Sequence, residues 1–260
     1  MPDRITELPA EALDAVVAHL GPIDSYETVG PGRNSAIAGI VTQGRNRLFI
    51  KGLPIRHDRP WKTQEREASA AAILPGFCPA VKWRSVGPAW DIIAFDALPS
   101  ESRPADYRPG SADLGVVATT IAELGTHSAV TASLRAETRW PGCPAGPALL
   151  HTDLHTDNVM ISARGAHVID WAWLTAGPAW VDPFIWAVYL VRHGHTPASA
   201  DAWASRIPAW QNRPAAAVTA FADTFQAIWD EIAIMPGPKD WPQEIAQYSR
   251  AWREYLLRQS

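Results

Sequence analysis

Apolar positions follow two different rhythms along this chain, and the change from one to the other divides it. Residues 9–20 carry apolar side chains at helical spacing, and Gly21-Pro22 stops the pattern. Residues 35–42 and 47–51 have the short, β-branched character of strands, and Gln43-Gly44-Arg45-Asn46 between them has the composition of a hairpin turn. Residues 61–74 are good helix formers ended by Pro75-Gly76, and two further strands are predicted at 80–85 and 91–96. Beyond a Pro-, Ser- and Arg-rich connection at 100–110 the helical period dominates, over 112–126, 180–193, 214–234 and 241–257. Only two short apolar runs interrupt it, 159–162 and 166–169, which read as a hairpin turned at Ala163-Arg164-Gly165. The expected class is α+β: an antiparallel sheet with one inserted helix in residues 1–98, a larger and mainly helical part in 99–260, and a cleft between two lobes.

Composition narrows the function more than the fold. The chain has 260 residues, 47% of them apolar, enough for a sizeable core, and a formal net charge of -4 gives no general attraction to a phosphate backbone. Nucleic acid is therefore not an expected partner. No apolar run is long enough to cross a bilayer, and the first residues lack the basic and apolar regions of a secretion signal, so a cytoplasmic protein without a membrane partner is expected. Cys78 and Cys143 are far apart, without metal-ligand spacing, and read as packing or loop residues. Tryptophan is unusually common, 13 against 6 Phe and 5 Tyr. Most of these indoles are expected in the core, with Trp203, Trp210, Trp229 and Trp241 placed where an acceptor pocket could use them.

The chemistry centres on His151-Thr-Asp153-Leu-His-Thr-Asp-Asn158. The spacing His-x-Asp-x-x-x-x-Asn is that of a phosphoryl-transfer catalytic loop, in which the Asp faces the attacking hydroxyl and the Asn holds magnesium. A chain of this composition yields roughly 0.007 accidental matches. Asp170 follows at the end of the predicted hairpin, twelve residues after Asn158, where a second magnesium ligand belongs. Magnesium is a hard ion that takes oxygen donors, so two carboxylates and an amide oxygen suit it. A cluster formed with His151 and His155 leaves a metal hydrolase as a competing reading, one that gives the β-rich front no role.

The segment 151–158 followed by Ile169-Asp170-Trp171 resembles the aminoglycoside phosphotransferase family, relatives of protein kinases and choline kinases, and Gly177-Pro-Ala-Trp-Val-Asp182 resembles that family's next feature. The resemblance implies a bilobal protein-kinase-like fold, a Mg2+ ion and ATP, or GTP, as co-substrate. It assigns Asp153 to the acceptor hydroxyl and Asn158 and Asp170 to the metal. Lys51, at the end of Arg47-Leu-Phe-Ile-Lys51, takes the place of the family's phosphate-binding lysine, with Glu67 in Arg66-Glu67-Ala as its acid and Glu65, about 200° around the same helix, as the competitor. Gly30-Pro-Gly32-Arg-Asn34-Ser35 resembles the loop over the phosphates, and Asp96 to Leu98 would meet the adenine through backbone. Asp182, before Pro183, reads as a helix N-cap.

The function that follows is transfer of a γ-phosphoryl group to a hydroxyl of a small acceptor, an antibiotic among those the family admits, by a monomer or weak dimer. Amino alcohols and sugars are further acceptors in the same class. A catalytically silent nucleotide- or partner-binding protein is the alternative from another class. A protein kinase is disfavoured, because Asp170-Trp171-Ala172 stands where Asp-Phe-Gly would. The acids Asp201, Asp223, Asp230, Glu231, Asp240, Glu244 and Glu254 are available to a polycation, but the chain lacks an acidic C-terminal cluster. Asp157 beside Asn158 is an extra charge in the loop.

Overall fold

The computed structural model describes residues 8–29, 35–55, 63–128, 140, 142–235 and 240–259. Two compact units divide the chain, Met1–Glu101 and Ser102–Ser260.

The first unit is built on five antiparallel strands, β1 (Ser25–Thr28), β2 (Ile37–Gln43), β3 (Asn46–Pro54), β4 (Val81–Val86) and β5 (Trp90–Asp96), in the order β1-β2-β3-β5-β4. Gly44, with φ +58, makes the tight turn from β2 to β3, and Gln43 pairs with Asn46 on either side of it. Strand alternation sorts the two faces. Ile50, opposite Ala94, belongs to one face, which is covered by α1 (Ala10–Leu20) through Ala12 and Val16 in a cluster with Tyr26, Ile37, Val41 and Leu48. Lys51, opposite Ile93, belongs to the other, which faces α2 (Thr63–Ala70). The helix expected over 61–74 is regular only to Ala70, and its last residues close in turns, with Leu74 N–H still bonded to Ala70 C=O. Strand β1 was not expected: three of its four residues are polar or charged and only Tyr26 is buried, so no alternation announces it.

The second unit opens with β6 (Arg103–Pro104) and α3 (Asp113–Leu124), joined by a two-pronged ion pair from Arg103 to the buried Asp113 carboxylate at 2.6 and 2.8 Å. Arg103 holds that carboxyl below its usual range, against the effect of burial. Two small sheets follow. One pairs β7 (Ala148–Leu150) with β10 (Thr175–Gly177); the other is ordered β6-β8-β9, with β8 (Val159–Ser162) and β9 (Gly165–Val168) forming the expected hairpin. Gly165, at φ +115, takes the strained corner of that hairpin.

Helices α4 (Val181–Arg192), α5 (Pro197–Ala204), α6 (Pro208–Gln211), α7 (Ala215–Ile234) and α8 (Trp241–Gln259) complete the unit. Their core is aromatic. Phe184 meets Trp210, Phe221, Phe225 and Trp252, and Trp229 lies beyond Phe225. Among the described residues no helix is long and apolar enough to cross a membrane.

In the first unit Gln64 is 3% exposed, and among the described residues neither end of its amide meets a hydrogen-bond partner. A buried amide left unbonded costs about 1–3 kcal/mol. Gln64→Met keeps the shape and removes the polar atoms. Its melting temperature should rise by about 2–4 °C per kcal/mol recovered; a variant that melts at or below wild type removes this account of Gln64.

Candidate active site

The segment 151–158 is the loop between β7 and β8, and nearly every turn of it is fixed by a named bond. His151 is completely buried. Its Nε2 is 2.9 Å from the Ile169 carbonyl, which can only accept, so Nε2 carries the proton and Nδ1 is left to accept the Asp153 N–H at 3.2 Å. Both ring nitrogens are thus committed to backbone. Burial lowers the imidazole below its ordinary pKa, opposed by the charges of Asp182, Asp153 and Asp170, which agrees with a neutral ring. His151 braces the loop.

Thr152 is a β-branched residue at φ +64, a conformation that costs about 1–3 kcal/mol. Two bonds hold it there: its N–H donates to Asp182 at 2.8 Å and its hydroxyl to the Trp173 carbonyl at 2.9 Å. The other oxygen of Asp182 accepts the His151 N–H at 2.8 Å. Burial pushes the Asp182 carboxyl above its usual range, and these two donors pull it back. Asp182 is therefore not the N-cap expected of it. Trp180 occupies that position, and Asp182, inside the first turn of α4, anchors the loop. Farther along, the buried Tyr107 hydroxyl donates to the Leu154 carbonyl at 3.2 Å.

Asn158 ends a 3-10 turn, Thr156–Asn158, capped by His155, whose Nδ1 accepts the Asp157 N–H. The Asn158 side chain donates Nδ2 to the Asp153 carbonyl at 2.8 Å, which turns its amide oxygen away as the acceptor end. The Ile169 N–H donates to the Asn158 carbonyl at 3.0 Å, so the hairpin closes with Asp170 as the next residue beyond the pair. Asp170 sits in the left-handed region at φ +64, ψ +67, with Trp171 buried behind it, its ring edge-on to His151 and its indole N–H on the Val168 carbonyl. Asp153, Asn158 and Asp170 are thus brought to one end of one hairpin. An amide oxygen and carboxylates there suit a small hard cation. Asp157 points to solvent, 63% exposed, with an oxygen 3.7 Å from His155 Nδ1.

In the first unit Lys51 Nζ is 2.8 Å from Glu67 Oε1, and both side chains are largely buried. Glu65, the competitor, is exposed. Asp96 is an exposed residue at the end of β5, paired with Lys82 at 3.2 Å, and Leu98 is half-buried just past the strand. Ser35 is half-buried before β2, while the Gly30 to Asn34 part of its loop lies outside the described residues. The tryptophan expectation needs correction at two positions, since Trp210 and Trp229 are fully buried in the aromatic core; Trp203 is half-buried beneath the Arg206 guanidinium, 3.8 Å from its ring centroid, and Trp241 is half-buried with its ring 5.4 Å from that of Trp229.

A family model, the phosphotransferase enzyme family, matches residues 80–230, more than half of the chain and the whole of the loop, hairpin and anchor just described. The chain belongs to this family. No curated protein matches it. Among solved structures, the choline/ethanolamine kinase family protein from Mesorhizobium loti is 16% identical, with a TM-score of 0.60 over 97% of this chain and 94% of that one. The microcompartment-associated aminopropanol kinase is 13% identical, with a TM-score of 0.55 over 95% of this chain and 97% of that one. At these identities the likeness concerns the fold: α+β, with an N-terminal antiparallel sheet and a mainly helical C-terminal part, as in kinases.

Within this family member the Asp182 anchor is the contact that the sequence hid and the structure supplies. Asp182→Asn keeps one acceptor but turns an N–H2 toward a backbone N–H, so stability should fall by about 1–3 kcal/mol. Amide hydrogen exchange at His151 and Thr152 should speed up more than elsewhere; uniform exchange would reject the anchor. Neutral His151 also sets a pH dependence. Its folded pKa lies below the ordinary 6.5, so the unfolded chain binds the proton more readily once pH falls under that value. Its contribution to stability is complete above that value and is lost as pH drops toward the folded pKa. Replacing His151 by Gln should flatten that part of the stability–pH curve, and an unchanged slope would contradict the assignment.

Proposed function

We propose that this chain is a small-molecule kinase that transfers the γ-phosphoryl group of ATP or GTP to the hydroxyl of a small acceptor. The observation that carries the reading is the loop itself. A buried network spends strain and four backbone bonds to present Asp153 beside the metal-suited pair Asn158 and Asp170.

Each group has one task. Asp153 orients the acceptor hydroxyl and takes its proton as the oxygen bonds to phosphorus and the nucleoside diphosphate leaves. Asn158 Oδ1 and the Asp170 carboxylate would hold magnesium, which when bound neutralises phosphate charge. Lys51, aligned by Glu67, holds nucleotide phosphates, and the backbone of Asp96 to Leu98 receives the base, with Ser35 at the edge of the phosphate loop.

For the acceptor, a small neutral or singly charged alcohol is favoured over a polycation. Four acids of the C-terminal helices are already paired: Asp201 with Arg213, Asp223 with Arg253, Asp230 with Arg250 and Glu244 with Arg192. The two solved kinases above are named for amino alcohols, which puts ethanolamine, choline and aminopropanol first in a screen, ahead of sugars and aminoglycosides.

Diphosphate release from Mg-ATP and Mg-GTP should be followed with that panel. Asp153→Ala should lower kcat by about 10²–10⁴, and Lys51→Met should chiefly raise the nucleotide KM. Equal release by wild type and Asp153→Ala would leave a silent binding protein as the better reading.

A further inference from the structure

Tyr189 lies on α4 seven residues beyond Asp182, nearly two full helical turns, so the two side chains leave the same face of the helix about 10 Å apart along its axis. Asp182 receives the N–H groups of His151 and Thr152, and the Tyr189 hydroxyl bonds Asp153 Oδ1 at 3.1 Å. Three consecutive residues of the loop are therefore gripped by one face of one helix. A carboxylate can only accept, so the phenol donates. Tyr189 is 6% exposed and its ring meets that of His155 at a centroid distance of 6.0 Å and an angle of 67°, which leaves the phenol little room to swing.

We propose that Tyr189 is a positioning residue: its hydroxyl fixes the rotamer of Asp153 and thereby aims that carboxylate at the acceptor. The inference rests on the reading of Asp153 given above. Asp153 is only half-buried and follows a residue held in a strained conformation, so backbone placement alone leaves the side-chain torsions to be set by a neighbour. A bond to Oδ1 fixes the plane of the carboxylate, and with it the place of Oδ2. Misplacing a reacting group costs rate without weakening nucleotide binding.

Tyr189→Phe keeps the ring and removes the donor. A crystal structure of the variant at neutral pH should show Asp153 leaving its wild-type rotamer, or occupying more than one. Kinetics with Mg-ATP, water serving as the acceptor, should show kcat for ADP release down on the order of tenfold with the KM for Mg-ATP within twofold of wild type, and an unchanged melting profile. An unmoved Asp153 side chain overturns the proposal, as does a moved side chain with unaltered kcat, or a loss expressed only in KM. If wild type releases no diphosphate above Asp153→Ala from Mg-ATP or Mg-GTP, with water or with any acceptor of the panel above, the kinase reading is what has failed, and the rotamer in the crystal still decides what Tyr189 does.

Discussion

A single buried carboxylate, that of Asp182, is the constraint on which the site depends. An ionised carboxylate away from water is costly unless its oxygens are hydrogen-bonded, and here each oxygen takes one backbone N–H from consecutive residues, His151 and Thr152. The exchange works in both directions. The carboxylate is compensated by donors that no strand or helix can use, because Thr152 has turned to positive φ and left the β7 ladder. The turn in its turn is held by a group that cannot leave without stranding its own buried oxygens and two backbone N–H groups. What this fixes is the direction in which the chain leaves β7, and therefore where Asp153 begins.

From that point the loop is set by local rules. His151, neutral and fully committed to the backbone, ties the start of the loop to Ile169 at the end of the hairpin. Asn158 ties its far end back to the Asp153 carbonyl. These two bonds close a ring around the segment, so Asp153 and the pair Asn158 and Asp170 are placed by the same few contacts. Rigid placement of this kind is what a transfer reaction with a loose transition state requires, since positioning supplies most of its catalysis.

The polar spacing of the site was readable in the sequence, because a loop and hairpin of fixed length convert spacing directly into proximity: Asp153, Asn158 and Asp170 needed only the turn at Gly165. The long helices were readable for the same reason, since five or more turns give the apolar period room to show. Three-residue strands such as β7 and β10 are too short for any period, and β1 has one buried residue in four. Helices α5 and α6 do begin with Pro at the first position, after Thr196 and Ile207, and the Thr196 cap was a usable signal. The choice between Glu65 and Glu67 rested on which face α2 buries, a tertiary fact that a short polar helix hardly encodes. Asp182 and Tyr189 were opaque as contacts because their partners lie about thirty residues upstream; their shared spacing of seven was visible, but nothing in it names the loop as the partner.

Helix α4 can serve as the frame for that loop because of what surrounds it. Every residue from Val181 to Val191 is buried, and a helix that is apolar on all sides belongs inside its unit rather than on the surface. Its Phe184 touches four other aromatic rings drawn from α6, α7 and α8. Close-packed interiors resist displacement, and large planar rings locked edge-to-face resist sliding. The abundance of tryptophan thus bears on the chemistry indirectly. Trp210 and Trp252 are fully buried and hold α4 still, so that Asp182 and Tyr189, the two polar side chains of its buried stretch, meet the loop at fixed points. A core substitution such as Trp252→Ala would accordingly act on the site through the position of α4, at a cost of about 3–5 kcal/mol in stability, without touching any residue of the loop.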